Sequence, residues 1–224
     1  MSDLATRFSG LIDSLEELTA YHGSPGPVPQ AKVIDHLDVH CRDFIARSPF
    51  FTLATADADG RCDVSPRGGP TGFVEVLGPK HLAFADAKGN RLADSMRNIV
   101  QTGRAGLLFL IPTLAETLRV NGRAVLTRDP DLLARHEVVE GKPPRIVIVL
   151  EVEEAFLHCA KAFIRSELWE PESWQPLEGL ARAAQIWKDH AEIQAMSVGD
   201  LEDYLAEDYR DNLYWEPRDG TTSA

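Results

Sequence analysis

The sequence predicts a mainly β fold with flanking helices, an α+β protein built around a small antiparallel barrel of about six strands. Three observations support this. Short apolar or alternating segments follow one another between residues 50 and 160, a single amphipathic helix interrupts them, and helical patterns lie at both ends of the chain. Most connections between the segments are too short to hold a crossover helix, so neighbouring strands are expected to pair antiparallel.

Helical patterns precede the first strand. Residues 3–20 are amphipathic and stop before HGSPGPVP, a stretch rich in Pro and Gly that is typical of a linker. A second helix is predicted over residues 30–47, where apolar residues recur at helical spacing, and Ser48-Pro49 should end it. These boundaries suggest three parts: an N-terminal helix and linker over 1–29, a barrel domain over 30–165, and a C-terminal helical extension over 166–224.

The strand signals are strongest at two places. FFTLAT, the turn ADADG and RCDVSPR predict a hairpin that starts at residue 50. The later segment ETLRVNGRAVLT alternates, so Thr117, Arg119, Asn121 and Arg123 should share one face of a strand, opposite an apolar face. AGLLFLIP before it and RIVIVLEVEEAFLHC after it predict two further strands, the first of them buried.

The helix between the strands starts near KGNRLADS. Asn90 is the predicted N-cap, which would leave the backbone N–H groups of Arg91 and Leu92 unpaired. Lys88 and Arg91 beside such a helix start would suit a phosphate group. A solvated helix start with no ligand fits these residues equally well. Leu92, Met96, Ile99 and Val100 are predicted to form the buried face, and Gly103 the C-cap.

Composition excludes several functions. The chain has 224 residues and a net charge of −12, which argues against general nucleic-acid binding. Its three cysteines are scattered and form no CxxC pair, so neither a disulfide framework nor a structural zinc site is expected. No apolar run approaches the ~18 residues of a membrane span, and no apolar leader opens the chain. A cytoplasmic protein without a membrane or nucleic-acid partner is expected.

Several common nucleotide-binding and catalytic motifs are absent from the sequence. There is no GxGxxG, Walker loop, GxSxG or HExxH. His36 and His40 lie one helical turn apart, yet no third ligand has suitable spacing, so a metal site is not expected. No side chain stands out as an obligatory acid, base or nucleophile, so the catalytic residues stay unassigned.

Six segments occur in an order that resembles a known family: SPFFTLAT, SPRGGPTGF, GNRLADSMRNI, GLLFLIP, ETLRVNGRA and KAFIRSELWEP. Over roughly residues 30–215 the chain resembles the pyridoxamine 5′-phosphate oxidase-related FMN-binding proteins, the split-barrel flavoproteins. The resemblance implies a six-stranded antiparallel split barrel and a homodimer. It also implies that FMN lies at the subunit interface and that the substrate is a small molecule.

The resemblance implies site residues at the phosphate end of FMN. Ser65 and Arg67 match the strand segment that runs along the ribityl chain and the phosphate. Asn90 and Arg91 match the family's Ser-Arg pair at the phosphate, with Lys88 nearby. The oxidases carry a second basic residue after that arginine, where this chain has Leu92.

Other matched positions concern the flavin ring. Thr117 falls where the oxidase has a Gln near the isoalloxazine, and Arg119 lies two residues further along the same face. A cation at Arg119 would stabilise the negative charge of reduced flavin at its N1–C2=O edge. Trp169 matches an aromatic residue close to the flavin.

Three functions remain open from the sequence. The first is an FMN-dependent oxidoreductase that acts on an unknown small molecule. The second is a non-catalytic flavin- or haem-binding protein of the same fold, and the third takes a deazaflavin as a diffusible co-substrate. The oxidases bind the substrate phosphate with an Arg-x-His near the C-terminus, and this chain contains no Arg-x-His. Pyridoxamine phosphate oxidation is therefore not expected, whereas FMN binding is.

Overall fold

The structure is a computed structural model that describes residues 3–86, 92–136 and 143–212, without the side chains of Asp3, Ala5 and Asn212. The chain divides into two compact units, residues 1–33 and 34–224. Each unit is described by itself below. The three-part division suggested by the sequence stays a prediction.

Three short helices form the described part of the N-terminal unit: α1 (Asp3–Arg7), α2 (Leu15–His22) and α3 (Pro27–Ala31). The prediction of one helix over 3–20 is wrong, because the chain leaves the helical conformation between α1 and α2. Gly10 there has φ of 70°, a left-handed conformation that glycine adopts without steric cost. Ser14 then starts α2, and its Oγ accepts a hydrogen bond from the Glu17 N–H at 3.1 Å.

The second unit opens with a β-bridge between Ile34 and Ala155, followed by α4 (Val39–Arg47). The helix predicted over 30–47 is therefore too long at its N-terminus. Asp38 is the N-cap, and its Oδ1 accepts from the Cys41 N–H at 2.8 Å. The helix ends immediately before Ser48-Pro49, as predicted.

Seven strands form one antiparallel sheet with the order β2-β1-β5-β6-β7-β4-β3. The mainly β antiparallel architecture with flanking helices is confirmed, although the prediction counted six strands. Their bounds are β1 (Phe50–Ala56), β2 (Cys62–Gly68), β3 (Val74–Gly78), β4 (His81–Ala85), β5 (Arg104–Leu110), β6 (Thr117–Thr127) and β7 (Val147–His158).

The sheet curls around a single apolar core. Phe51 of β1 contacts Phe84 of β4 with ring centroids 4.9 Å apart, although three strands separate β1 from β4 in the sheet order. Phe109 of β5 packs on the same Phe51 ring at 5.1 Å. All three rings are fully buried, as are many aliphatic side chains around them. The edges of the curled sheet are β2 and β3.

The β6–β7 pair is the longest in the sheet and contains a β-bulge. Asn121 pairs with Glu154 whereas Gly122 pairs with Val152, so Glu153 is the extra residue. A Cβ on Gly122 would lie 1.9 Å from the Glu151 carbonyl oxygen. Only glycine fits at this point of the bulge.

Helix α5 (Asp94–Thr102) connects β4 to β5 and differs from its prediction in two ways. Its N-cap is Ala93 rather than Asn90, so Leu92 precedes the helix. Its buried residues are Ser95, Asn98 and Ile99, whereas Leu92 and Val100 are 59% and 73% exposed. The predicted apolar face is thus wrong for two of its four residues. Gly103 does form the C-cap, with φ of 64°.

The remaining helical segments follow β6 or β7 in the chain. They are α6 (Pro130–Arg135), α7 (Lys161–Ser166), a 3₁₀ turn (Pro171–Ser173), α8 (Ala183–His190) and α9 (Val198–Asn212). Ala184 of α8 packs with Leu201 and Leu205 of α9 in a small second apolar cluster. No helix in the described part of the chain is long and apolar enough to cross a membrane.

Candidate functional site

Edge strand β2 presents three polar side chains on the face of the sheet that covers the core. Asp63, Ser65 and Arg67 alternate along β2, and each pairs with a buried residue of β1. Cross-strand partners project to the same face, so these side chains point to the inner side of the curled sheet. There they meet the first turns of α5.

Ser95 of α5 is the centre of a hydrogen-bond network with this strand. Its hydroxyl donates to Asp63 Oδ2 at 2.6 Å. Because a hydroxyl has one proton, the contact with Ser65 Oγ at 2.7 Å requires Ser65 to donate. Arg67 Nη2 donates to Ser95 Oγ as well, at 3.2 Å. The Ser65 proton is thereby used inside the protein, and Ser65 can only accept from a ligand.

A second branch reaches the same carboxylate from further along α5. Asn98 Nδ2 donates to Thr55 Oγ1 at 3.0 Å, and Thr55 Oγ1 donates in turn to Asp63 Oδ2 at 3.4 Å. Ser95, Asn98 and Thr55 are 3%, 7% and 7% exposed. The helix therefore docks on the sheet through satisfied polar contacts, which hold Asp63 and its neighbours in place.

We refer to Asp63, Ser65, Arg67 and Ser95 as the inner-face cluster. Arg67 is its cation, and one of its N–H groups lacks a hydrogen-bond acceptor among the described residues. Burial lowers its pKa, and the negative charges of Asp86 and Asp63 oppose that effect without cancelling it. Burial likewise raises the pKa of Asp86, which the charge of Arg67 opposes. The Arg67 Nε is buried and has no partner among the residues that the structure describes. Buried N–H groups are normally hydrogen-bonded, so a donor without an acceptor among the described residues is unusual here.

Thr117 and Arg119 lie on the other face of the sheet. Arg119 pairs with Leu108 in β5 and Phe156 in β7, whereas its neighbour Leu118 faces the core. Thr117 is 4% exposed and pairs with His158. In one chain, this outer-face pair is therefore separated from Ser65 and Arg67 by the sheet itself.

Arg119 is held over an aromatic ring. Its guanidinium carbon lies 4.4 Å from the centroid of Phe156, a cation–π arrangement. The nearest carboxylate, Glu154, is 4.0 Å from Arg119 Nε and already accepts from Asn121 Nδ2 at 2.9 Å. Arg119 Nε is buried and has no hydrogen-bond partner in the described part of the chain. The outer face thus also carries a fixed cation with a spare donor.

Trp169 is already engaged by the protein. Its indole Nε1 donates to the Leu114 carbonyl oxygen at 2.9 Å, and its ring stacks on Phe163 with centroids 5.6 Å apart. A contact between this ring and a flavin stays a prediction. The ring would have to present its free face or edge.

Apart from Trp169, the predicted site residues thus fall into three groups. Ser65 and Arg67 lie together on the inner face, and Thr117 and Arg119 lie together on the outer face. Lys88, Asn90 and Arg91 lie outside the described residues, so their phosphate-binding role stays a prediction. Within residues 3–86, 92–136 and 143–212, no cluster of three or more His, Cys, Asp or Glu could hold a metal ion.

Sequence reasoning missed three residues that interact with Ser65 or Arg67, namely Asp63, Asp86 and Ser95. The alternation in RCDVSPR places Asp63 on the face of Ser65 and Arg67, and that signal was present in the sequence. Ser95 could not be found by the same route, because burial of a serine on a helix leaves no trace in an apolar pattern.

Comparison with solved structures finds similar chains. HupZ from Group A Streptococcus is 17% identical, with 54% of this chain and 92% of that chain covered and a TM-score of 0.44. HutZ, the heme storage protein from Vibrio cholerae, is 19% identical, with coverages of 55% and 93% and a TM-score of 0.40. The FAD binding protein from Mycobacterium smegmatis is 15% identical, with coverages of 56% and 97% and a TM-score of 0.39.

Comparison with curated protein sequences finds no match. The family model for pyridoxamine 5′-phosphate oxidase, in contrast, matches residues 37–159. The matched range starts just before α4 and ends just after β7, so it contains the whole sheet, α5 and both clusters of predicted site residues. It spans more than half of the 224 residues, and the chain therefore belongs to the pyridoxamine 5′-phosphate oxidase family.

Proposed function

We propose that this protein binds FMN and acts as an FMN-dependent oxidoreductase on a small molecule. The observation that carries the proposal is Arg67, a half-buried cation fixed by Ser95 whose buried Nε has no partner among the described residues. A phosphate or ribityl oxygen would supply the missing acceptor through a charge-assisted hydrogen bond. The predicted phosphate residues Lys88, Asn90 and Arg91 follow β4 in the sequence, and Lys88 and Arg91 would add two positive charges for the phosphate.

Arg119 and Thr117 would serve the isoalloxazine end of the ligand. When bound, FMN supplies the electron and hydride chemistry, and the protein contributes binding, orientation and charge. The guanidinium held over Phe156 would stabilise negative charge on the reduced ring. Since the sequence has no Arg-x-His, pyridoxamine phosphate is not the proposed substrate.

The placement of the two clusters supports a homodimer with FMN between the subunits. Ser65 and Arg67 project from one face of the sheet, and Thr117 and Arg119 from the other. A ligand that contacts both clusters can do so when one cluster comes from each of two copies. In a dimer with twofold symmetry this arrangement produces two equivalent sites.

The alternative function is non-catalytic binding of flavin or haem. One observation favours it: the hydroxyl protons of Ser65, Ser95 and Thr55 are all donated within the protein, so none of these hydroxyls is free to donate a proton to a substrate. Heat release of the bound ligand and its mass would identify it as FMN, haem or neither. Stopped-flow mixing of the flavin-loaded protein with NADH and NADPH separates the remaining two functions. Bleaching by either nucleotide supports the oxidoreductase, whereas no bleaching supports the binding protein.

The phosphate assignment is tested by Arg67→Met. Loss of a hydrogen bond to a charged group costs about 1.5–3 kcal/mol, so FMN affinity should fall roughly ten- to hundred-fold. Riboflavin, which lacks the phosphate, should bind the variant and the wild type more nearly equally. Arg61→Met is the matched control, because Arg61 precedes β2, is 75% exposed and pairs only with Asp57 and Asp59 among the described residues. Equal FMN affinity in all three proteins would contradict the assignment.

A further inference from the structure

Two connecting segments contain a residue in an unusual backbone conformation. Thr113 lies in the connection of residues 111–116 between β5 and β6 and has φ of 71°. Glu167 follows α7 directly and has φ of 50°. Left-handed φ is rare for residues other than glycine, and for a β-branched residue such as Thr113 it indicates a conformation imposed by its surroundings.

Trp169 joins these two segments. Its indole Nε1–H donates to the carbonyl oxygen of Leu114, the residue after Thr113, at 2.9 Å. Its ring stacks on Phe163 of α7, which fixes the indole from the other side. Leu114 is itself held back by a hydrogen bond from its N–H to the Ile111 carbonyl oxygen at 3.1 Å. The side chain of Trp169, which is distant in sequence, thus holds the turn at Thr113 in place through Leu114.

The connection of residues 111–116 leads directly into β6, which carries the outer-face pair of Thr117 and Arg119. Only Ala115 and Glu116 separate Leu114 from Thr117, the first residue of β6, and Arg119 follows two positions later. Thr117 is buried, and Arg119 is held over Phe156, so both depend on where β6 begins. A shift of the connection would move the start of that strand.

We propose that Trp169 is a positioning residue whose hydrogen bond to Leu114 holds the 111–116 connection in its strained turn and so places Thr117 and Arg119. The effect on a flavin rests on the proposed function, whereas the effect on the connection does not. Trp169 acts here through Leu114. The indole N–H of Trp169 is the group that holds the connection, because it donates the hydrogen bond to the Leu114 carbonyl oxygen.

The chain contains a matched control for this chemistry. Trp174 also donates its indole N–H to a backbone carbonyl, that of Leu168 at 3.1 Å, but this bond stays within the segment that follows α7. Trp169→Phe and Trp174→Phe therefore make the same chemical change, and only the first removes a bond to the β5–β6 connection.

Hydrogen exchange of the ligand-free full chain tests the proposal. In Trp169→Phe, the amides of residues 113–117 should exchange roughly five- to ten-fold faster, the scale of one lost hydrogen bond. Trp174→Phe should match the wild type there, and core amides of β1 and β5 should be unchanged in both variants. Equal exchange of residues 113–117 in the wild type and Trp169→Phe would overturn the proposal. So would equal acceleration of that segment by the two substitutions.

A rescue experiment separates positioning from a general loss of stability. Glycine adopts left-handed φ without steric cost, so Thr113→Gly in the Trp169→Phe background should restore much of the lost protection. Failure of the rescue would contradict the role assigned to the strained turn. In the FMN-loaded protein, Trp169→Phe should also shift the flavin absorbance spectrum, with Trp174→Phe again as the control. If the exchange pattern holds while no variant binds FMN, the positioning role stands and the proposed function fails.

Discussion

Arg67 and Arg119 share a feature that distinguishes them from the surface arginines. Each has a buried Nε without a hydrogen-bond partner among the described residues, and each is fixed by a neighbour, Ser95 for Arg67 and the Phe156 ring for Arg119. Arg104 and Arg123, in contrast, both pair with Glu153. A fixed cation with a spare donor suits anion or carbonyl recognition, because little side-chain entropy remains to be lost on binding.

For a single residue, we expect the substitution Arg119→Met to lower the reduction potential of bound flavin. Removal of the cation destabilises the anionic reduced ring more than the neutral oxidised ring. A change of about 1.4 kcal/mol corresponds to about 30 mV for a two-electron couple. The potential is measured by reductive titration against a reference dye. Arg123→Met, on the same face but paired with Glu153 at 3.0 Å, is the control and should leave the potential unchanged.

Arg91→Ala tests the second predicted phosphate contact. Arg91 lies outside the described residues, so its role is a prediction from sequence alone. FMN affinity should fall roughly ten- to hundred-fold, as expected for loss of a hydrogen bond to a phosphate. Helix α5 starts at Asp94, so Arg91 precedes it and the ligand-free protein should unfold at the same urea concentration as the wild type. Titration with FMN and riboflavin checks this, and an equal loss for both ligands would exclude a phosphate contact.

At the scale of elements, the strands were better predicted than the helices. Alternation along β6 identified the shared face of Thr117 and Arg119, because side-chain direction follows directly from a period of two. For helix α5, in contrast, the sequence pattern did not identify the buried face. This helix buries Ser95 and Asn98 against Asp63 and Thr55, and a pattern of apolar residues cannot signal a polar interface. The break between α1 and α2 was missed because Gly10 adopts a left-handed turn inside an amphipathic pattern.

The bulge in β7 gives a prediction for one element. Gly122→Ala would place a Cβ 1.9 Å from the Glu151 carbonyl oxygen, so the β6–β7 pair must shift where it is most extensive. We expect a loss of about 3 kcal/mol in the free energy of unfolding. Urea unfolding with a fitted m-value measures it. Gly78→Ala is the control, because a Cβ there meets nothing within 4 Å, and its effect should stay within about 1 kcal/mol.

For the whole molecule, the sheet separates the two groups of candidate ligand-binding residues within one chain. Asp63, Ser65 and Arg67 of β2 meet Ser95 of α5 on the inner side of the sheet, whereas Thr117 and Arg119 of β6 project to its outer side. The sequence predicted every one of these positions except Asp63 and Ser95. The sequence could not show that the two groups lie on opposite faces of one sheet. That arrangement depends on β1 pairing with β5, a contact between segments far apart in the sequence.

Mixed dimers test whether a site draws on two chains. Arg67→Glu and Arg119→Glu each place a negative charge where an FMN oxygen or reduced ring is proposed to lie, so each homodimer should bind FMN weakly. Co-expression with two different tags allows purification of the dimer that contains one chain of each variant. If Arg67 of one copy and Arg119 of the other form a site, that dimer has one site with both changes and one with neither.

The mixed dimer should then bind about one FMN per two chains with wild-type affinity, as measured by titration and by released flavin. If both arginines of a site came from one chain, every site of the mixed dimer would carry a single change and none would bind tightly. Light scattering of each preparation must show a dimer at micromolar concentration, and a monomeric wild type would exclude the shared site. Tight FMN binding by either homodimer would instead remove that arginine from the site.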